Sequence, residues 1–171
     1  MEKDQKIYSL EPIIGKDARV FILGSMPGKK SLLKKQYYGN DRNHFWKIIF
    51  TILGLEIPNE YSNKVELLKE HHIALWDVIY ECVREGSLDS KIKDEEPNDI
   101  SSFLQNHPTI KLIVFNGNKA FEVFKKHIGL NTLSEVDYKK LPSTSPTPGR
   151  NVKSLEEKIK EWRIIEKYLY S

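Results

Sequence analysis

The stretch from Gly24 to Trp46 concentrates residue types that bind nucleic acid. It reads GSMPGKKSLLKKQYYGNDRNHFW, in which Pro27 and Gly28 are followed by four lysines and then by polar and aromatic residues. Lysines neutralise phosphates, and rings such as those of Tyr37 and Tyr38 stack on unpaired bases. The loop matches neither the GxxxxGK[ST] nor the GxGxxG pattern, so nucleoside triphosphate and dinucleotide sites are not predicted. Taken alone, such a stretch more often forms a solvated face, and other segments must support the binding hypothesis.

Two later segments carry further polar groups. Asn116 follows a predicted strand, where its amide could hydrogen-bond the polar edge of a base, or could simply serve a turn or cap the next helix. Residues 142–150, PSTSPTPGR, place hydroxyl groups and an arginine on a proline-stiffened loop. Hydroxyls and backbone amides commonly contact phosphates, although an ordinary surface turn has the same composition.

The elements that position these groups are strands and helices that alternate along the sequence. Short apolar runs predict strands at 18–23, 73–79 and 110–115, and a last strand is expected at 138–142. Helical spacing of apolar residues predicts helices, at 43–53, 61–71, 98–106 and 118–127. Ser154 and Glu157 form the pattern of a capping box that begins a C-terminal helix. The polar stretch 84–97 is expected to run over the surface.

This alternation predicts an α/β fold, a three-layer α/β/α sandwich around a mainly parallel four-stranded sheet. Ligands of such sheets bind beyond the carboxyl ends of the strands. The segments GSMPG, NGN and PSTSP each follow a predicted strand. The topology therefore gathers three distant segments on one rim, where we expect the functional site.

Composition limits the class of protein. The 171 residues fit a single domain spanning 1–171, and the net charge of +3 imposes no global field that would demand a nucleic-acid partner. The single cysteine, Cys82, excludes an intrachain disulfide framework and a cysteine-rich metal or iron–sulfur site. His71 and His72 are adjacent, which is not metal-ligand spacing. Because neither a signal peptide nor a membrane-spanning run is visible, we expect a soluble cytoplasmic protein.

Together the rim segments resemble the uracil-DNA glycosylase superfamily. GSMPG is similar to its first motif, G-x-x-P-G, and LPSTSP occupies the place of its second. The closer resemblance is to the hypoxanthine-DNA glycosylase branch, and it covers most of 20–146. The segments that carry it are GSMPGKKSL, YYGNDRNHFW, ALWDVIYECVREGSLDS, VFNGNKAF and LPSTSP.

Two departures from the superfamily pattern bear on catalysis. Several branches carry Asp, Glu or Asn at the third position of the first motif, where this chain has Met26, which can neither polarise water nor accept a proton. The second motif often begins with His or Asn, where this chain has Leu141. The resemblance to the hypoxanthine branch moves the key amide outward to the Asn of RNxFW, which is Asn43. Helix capping is the alternative role for Asn43.

The resemblance implies a monofunctional glycosylase that removes hypoxanthine from deoxyinosine and leaves an abasic site, without metal or cofactor. Asn43 would orient water and favour the cationic sugar. The expected base-binding residues are Phe45, Tyr38, Asn116, Ser25 and Met26, with core packing as the alternative for Phe45. The expected contacts to the DNA backbone are Gly28, Lys29, Lys30, Ser143, Thr144, Ser145 and Arg150. Arg150 could instead enter the space that a flipped nucleotide leaves.

The expected partner is double-stranded or single-stranded DNA containing a damaged base. The protein is expected to act as a monomer, and no membrane partner is expected. Three alternatives stay open. The same fold could prefer uracil, xanthine or a mismatched pyrimidine, because pocket shape decides the base. It could bind nucleic acid without catalysis. An unrelated α/β hydrolase or small-molecule binder would lack salt-dependent DNA affinity.

Overall fold

A computed structural model describes residues 5–149 and 152–170. Its strands are β1 (Lys6–Tyr8), β2 (Val20–Gly24), β3 (Ile73–Asp77), β4 (Ile79–Val83), β5 (Lys93–Pro97), β6 (Leu112–Asn116) and β7 (Asp137–Leu141). Its helices are α1 (Lys29–Lys34), α2 (Phe45–Leu53), α3 (Tyr61–Glu70), α4 (Ile100–Asn106), α5 (Asn118–His127), α6 (Leu155–Trp162) and α7 (Glu166–Leu169). Short 3₁₀ turns cover Asp89–Lys91, Leu130–Leu133 and Arg163–Ile165.

The central sheet has four parallel strands in the order β3-β2-β6-β7. Side chains of β2 alternate between its faces: Val20 and Ile22 pack into one hydrophobic cluster, and Phe21 and Leu23 pack into the other. All four side chains are fully buried, as expected of a strand in the middle of a parallel sheet.

Helices cover both faces of this sheet. Helices α2, α3 and α6 supply Ile48, Leu68 and Trp162 to the cluster on one face. Helices α4 and α5 supply Phe103 and Phe124 to the cluster on the other. The predicted three-layer α/β/α sandwich is confirmed.

The helix predictions are largely met. Helix α5 has the predicted bounds, and α6 begins with the predicted capping box, in which the Ser154 hydroxyl accepts from Glu157 N–H and the Glu157 carboxylate accepts from Ser154 N–H. Asp99 caps α4, since its side chain accepts from Ser102 N–H. Within residues 5–149 and 152–170, none of the helices combines the length and the apolar character needed to cross a bilayer.

Residues 93–97 of the polar stretch form strand β5, which was not expected, and a second sheet is present. Strands β1, β4 and β5 form an antiparallel sheet in which β5 lies at an edge. The sequence of β5, KDEEP, has low strand propensity but suits an edge, where charged side chains remain in solvent. The predicted strand 73–79 is divided at Val78, after which the chain leaves the central sheet to enter this second one. Helix α1, inside the predicted rim loop, was also not expected.

Candidate active site

The four strands of the central sheet end at one large cavity. Its volume is about 1110 Å³, and its wall includes the last residue of each strand, Gly24, Asp77, Asn116 and Leu141. Most residues expected at the rim also line it: Ser25, Met26, Gly28, Lys29, Lys30, Tyr38, Asn43, Asn116, Ser143, Thr144 and Ser145. The volume exceeds the ~300–1,000 Å³ typical of small-molecule pockets, so a nucleotide can be accommodated.

Asn116 joins two sides of the cavity. Its Nδ2 donates to the Tyr38 hydroxyl at 3.0 Å and to Thr144 Oγ1 at 3.1 Å. Its Oδ1 accepts from Thr144 N–H at 3.0 Å. Both amide hydrogens are therefore used within the protein, and one oxygen lone pair remains for a ligand. The amide therefore holds Tyr38 and Thr144 together in the cavity wall, and it also faces the cavity.

Tyr38 forms a ring surface in the cavity wall. Its ring stacks on that of Phe45, with centroids 3.9 Å apart and planes 15° from parallel. Its backbone has φ of 53°, in the left-handed region that is uncommon for a tyrosine. The stacking and the Asn116 bond together hold the residue in this conformation.

The expectation that Phe45 stacks on a base is not met in this structure. The Phe45 side chain is fully buried and does not line the cavity. It lies beneath Tyr38, with Trp46 and Trp162 packed edge-on against it. Core packing, the alternative reading of Phe45, describes its position.

Asn43 lies in the cavity wall and also serves the start of α2. Its Oδ1 accepts from Phe45 N–H at 2.9 Å. The oxygen keeps a second lone pair, and no hydrogen bond within the described residues uses the Asn43 Nδ2 group. The capping bond fixes the direction of the side chain and leaves the second Oδ1 lone pair and the Nδ2 group for a ligand in the cavity. Helix capping and a role in catalysis are therefore compatible for Asn43.

Thr144 anchors the loop that carries the second motif and is not a surface contact. Its side chain is buried, it is bonded to Asn116, and its carbonyl accepts from His44 N–H at 2.9 Å. The expected contact of Thr144 with the DNA backbone stays a prediction, and the burial of its side chain does not favour it. The neighbouring Ser143 and Ser145 remain at the rim, where Ser143 Oγ accepts from Ser145 N–H at 3.1 Å.

Lys158 is a wall residue that sequence reasoning did not select. It is buried, and its ammonium group contacts His44 Nδ1 at 3.2 Å and the Ser145 carbonyl at 3.5 Å. Burial lowers the pKa of this lysine, and burial together with Lys158 and Lys47 lowers the pKa of His44. The pair ties α6 to the start of α2 and to the second-motif loop.

The stretch 84–92 forms another wall of the cavity. The Ser25 hydroxyl donates to Asp89 Oδ1 at 2.7 Å, and Lys29 N–H donates to Ser87 Oγ at 2.8 Å. Ser87, Leu88 and Asp89 line the cavity. The segment REGSLDS is among those that carry the resemblance, but its polar composition alone gives no reason to place it beside the first motif.

Asp77 is the most unusual group in the wall. It ends β3, is almost fully buried, and its Oδ2 atom has no hydrogen-bond partner among the described residues. Burial and the nearby Asp89 carboxylate raise its pKa to about 7, against the opposing effect of Arg84. Its Oδ1 would lie only 2.6 Å from a Cβ placed on Gly24, so the glycine of the first motif makes room for this carboxyl.

The expected phosphate contacts occupy the outer rim. Lys29 and Lys30 are exposed on the first turn of α1, and Gly28 is half-buried just before them. Arg150 lies outside the described residues.

The site therefore defines a class: an α/β protein with a polar, ring-walled cavity beyond the carboxyl ends of its parallel strands. The model of the uracil DNA glycosylase superfamily matches residues 12–167. The chain belongs to this superfamily, as the resemblance of its motifs predicted.

Relatives and a solved structure agree with this assignment. A protein of Methanosarcina barkeri called hypoxanthine DNA glycosylase is 39% identical over 160 residues, covering 92% of this chain and 96% of the relative. A Methanosarcina acetivorans protein of the same name is 38% identical over 156 residues, with 90% and 93% covered. A solution NMR structure from Methanosarcina acetivorans, described as a candidate uracil DNA glycosylase, has a TM-score of 0.82 at 35% identity, with 98% of this chain and 100% of that chain covered.

Proposed function

We propose that this protein is a monofunctional DNA glycosylase that hydrolyses the N-glycosidic bond of deoxyinosine and releases hypoxanthine. The observation that carries the proposal is the single cavity lined by Asn43, Tyr38 and Asn116. The names of the two relatives support hypoxanthine as the base. Uracil, xanthine or a mismatched pyrimidine is the alternative substrate.

The target nucleotide reaches the cavity by leaving the base stack. Its base stacks on the ring face of Tyr38 that Phe45 does not cover. The remaining oxygen lone pair of Asn116 accepts from the base edge, and Ser25 and Met26 complete the floor. A deoxyinosine pair is weaker than a normal pair, so extrusion costs less free energy there.

Asn43 acts where the sugar becomes cationic. Bond cleavage gives an oxocarbenium-like sugar, as in glycoside hydrolysis. The amide cannot deprotonate water, but its second lone pair and its N–H groups can orient water and favour the positive sugar. Its capping bond to Phe45 N–H holds the side chain ready for this role before substrate binds.

Phosphates flanking the flipped nucleotide contact the outer rim. Lys29 and Lys30 supply charge, and the Ser143 and Ser145 hydroxyls and the backbone at Gly28 supply hydrogen bonds. Replacing both lysines by alanine should reduce the slope of log K against log salt by about 2, since each phosphate contact contributes ~0.9 for duplex DNA. Fluorescence anisotropy at several salt concentrations measures this slope; an unchanged slope would exclude both lysines from the interface.

The function is tested by alkali cleavage of duplexes that carry one deoxyinosine or one deoxyuridine. The wild type should produce abasic sites from deoxyinosine. Asn43→Ala should slow single-turnover release ~10²–10³-fold, the usual loss for one such polar group. Asn63→Ala, an exposed amide on α3, is the matched control. Release from uracil alone would change the substrate; DNA binding without release would favour a non-catalytic binding module.

A further inference from the structure

Asp77 is not explained by the roles above. Asp77 ends β3, lines the cavity and is 4% exposed, and within the part of the chain that the structure describes its Oδ2 has no hydrogen-bond partner. A buried carboxylate without partners is costly, and native proteins usually pair such a group or keep it neutral. The carboxyl is therefore expected to be neutral, or to meet a partner that enters through the cavity whose wall it joins.

Titratable groups from several elements face Asp77. They are the hydroxyls of Tyr37 and Tyr38, the Asp89 carboxylate and the Arg84 guanidinium. Among the described residues Asp77 forms no ion pair. The Arg84 guanidinium donates instead to the Pro27 carbonyl at 2.7 Å and the Gly86 carbonyl at 2.9 Å.

Burial and the Asp89 charge together outweigh Arg84 and raise the pKa of Asp77 to about 7. A carboxylic acid that is partly protonated near neutral pH is suited to general acid catalysis. The adjoining rings and hydroxyls of Tyr37 and Tyr38 do not offer this: burial raises their pKa values further above neutrality.

We propose that Asp77 is a second catalytic residue of this site, a general acid that donates its carboxyl proton to the departing purine. This role rests on the proposed function. A purine leaves with the electron pair of the C1′–N9 bond, and its acceptor atoms N3, N7 and O6 are the positions where a proton neutralises that charge.

The proton and electrons balance as follows. The C1′–N9 bond breaks and its electron pair goes to the base, while the Asp77 O–H proton passes to an acceptor atom of the base, giving neutral hypoxanthine. Water oriented by Asn43 adds through oxygen to C1′ and loses one proton. That proton returns the Asp77 carboxylate to its acid form through solvent, so one water is consumed and one base is released.

The first motif is shaped around this carboxyl. A side chain at Gly24 would meet Asp77 Oδ1 at 2.6 Å, and Val78 N–H donates to the Gly24 carbonyl at 2.8 Å, which fixes the end of β3 against β2. The carboxyl is thus held at a defined position in the cavity wall, as a proton donor requires.

The test is the pH dependence of single-turnover hypoxanthine release by the wild type, Asp77→Asn and the matched control Asp17→Asn. Asp17 is exposed and lies just before β2, at the amino end of the strand and so at the end opposite the cavity. Wild type and Asp17→Asn should lose rate tenfold per pH unit above about pH 7. Asp77→Asn should be slower by ~10²-fold or more at about pH 6 and flat across the range, since its amide donates a hydrogen bond but no proton.

A second measurement does not depend on activity. Carboxyl ¹³C NMR of the wild type, with Asp77→Asn for assignment, should show one carboxyl that titrates near pH 7. Titration near the ordinary value of about 4 would overturn the proposal, whatever the variant does.

The outcomes separate this role from the proposed function. A wild type that releases no base from deoxyinosine overturns the proposed function and the role of Asp77 with it. An active wild type with an equally active Asp77→Asn, or with a variant that keeps the wild-type pH profile at a lower rate, overturns the role of Asp77 alone.

Discussion

Replacing Asn116 by alanine should weaken the whole fold as well as the site. The substitution removes three hydrogen bonds, two donated by Nδ2 to Tyr38 and Thr144 and one accepted by Oδ1 from Thr144 N–H. A typical hydrogen bond contributes ~1 kcal/mol net, so the loss in unfolding free energy is about 3 kcal/mol. For a chain of this length that corresponds to a fall in Tm of roughly 6–12 °C.

The assay is urea unfolding followed by tryptophan fluorescence, with thermal unfolding as a check. Asn116→Asp keeps the acceptor for Thr144 N–H and loses both amide donors, so it should fall between the wild type and Asn116→Ala. Asn118→Ala is the control, because that exposed side chain makes one bond, to Lys140 Nζ at 3.0 Å, and should cost under ~0.5 kcal/mol. An Asn116→Ala protein within ~0.5 kcal/mol of the wild type would refute the view that this amide holds the cavity wall together.

Three further predictions concern other contacts. Ser154→Ala removes the capping box of α6 and should cost about 1 kcal/mol in urea unfolding; no loss would mean that the box contributes nothing. Gly117→Ala should lower the free energy of unfolding by more than ~1 kcal/mol, because φ is 92° and the new Cβ would lie 2.9 Å from Ser143 Cβ. Gly54→Ala is the control and should cost less, since its φ is 71° but no atom lies within 4 Å of the new Cβ. Equal losses in the two variants would refute the close approach at Gly117. The hydrogen bond from His127, followed by that from Lys126, lowers the pKa of Glu95 to about 2. The stability that Glu95 adds over Glu95→Gln should therefore be present above about pH 4.5 and vanish as pH falls towards 2; a constant difference would contradict this.

Strand ends were the most predictable part of the site. Apolar runs place Gly24 and Asn116 at the carboxyl ends of parallel strands, and the strand expected at 138–142 adds Leu141. The rule that ligands bind beyond these ends brings the rim segments together. The fourth strand end, Asp77, was missed because it lies within the apolar run 73–79 and carries no local signal of its own. Its burial depends on Gly24, which is distant in sequence, and on the way the following stretch 84–92 folds back against the first motif.

Other parts depend on tertiary contacts that sequence periodicity does not encode. The β5 strand is highly charged and pairs only because β4 is available beside it. The order of the rings, with Tyr38 above and Phe45 below, follows from the left-handed backbone at Tyr38 and its bond to Asn116. Tyr38 and Phe45 are both aromatic and both lie in the segment YYGNDRNHFW, so the sequence alone does not show which ring faces the cavity.

Direct detection of the released base is the most decisive measurement. A deoxyinosine duplex is incubated with the wild type and with Asn43→Ala, and mass spectrometry quantifies hypoxanthine beside the abasic strand. The account predicts one hypoxanthine per abasic site, an intact sugar–phosphate backbone, and ~10²–10³-fold slower release by the variant. No hypoxanthine from the wild type, or equal release by both proteins, would contradict it.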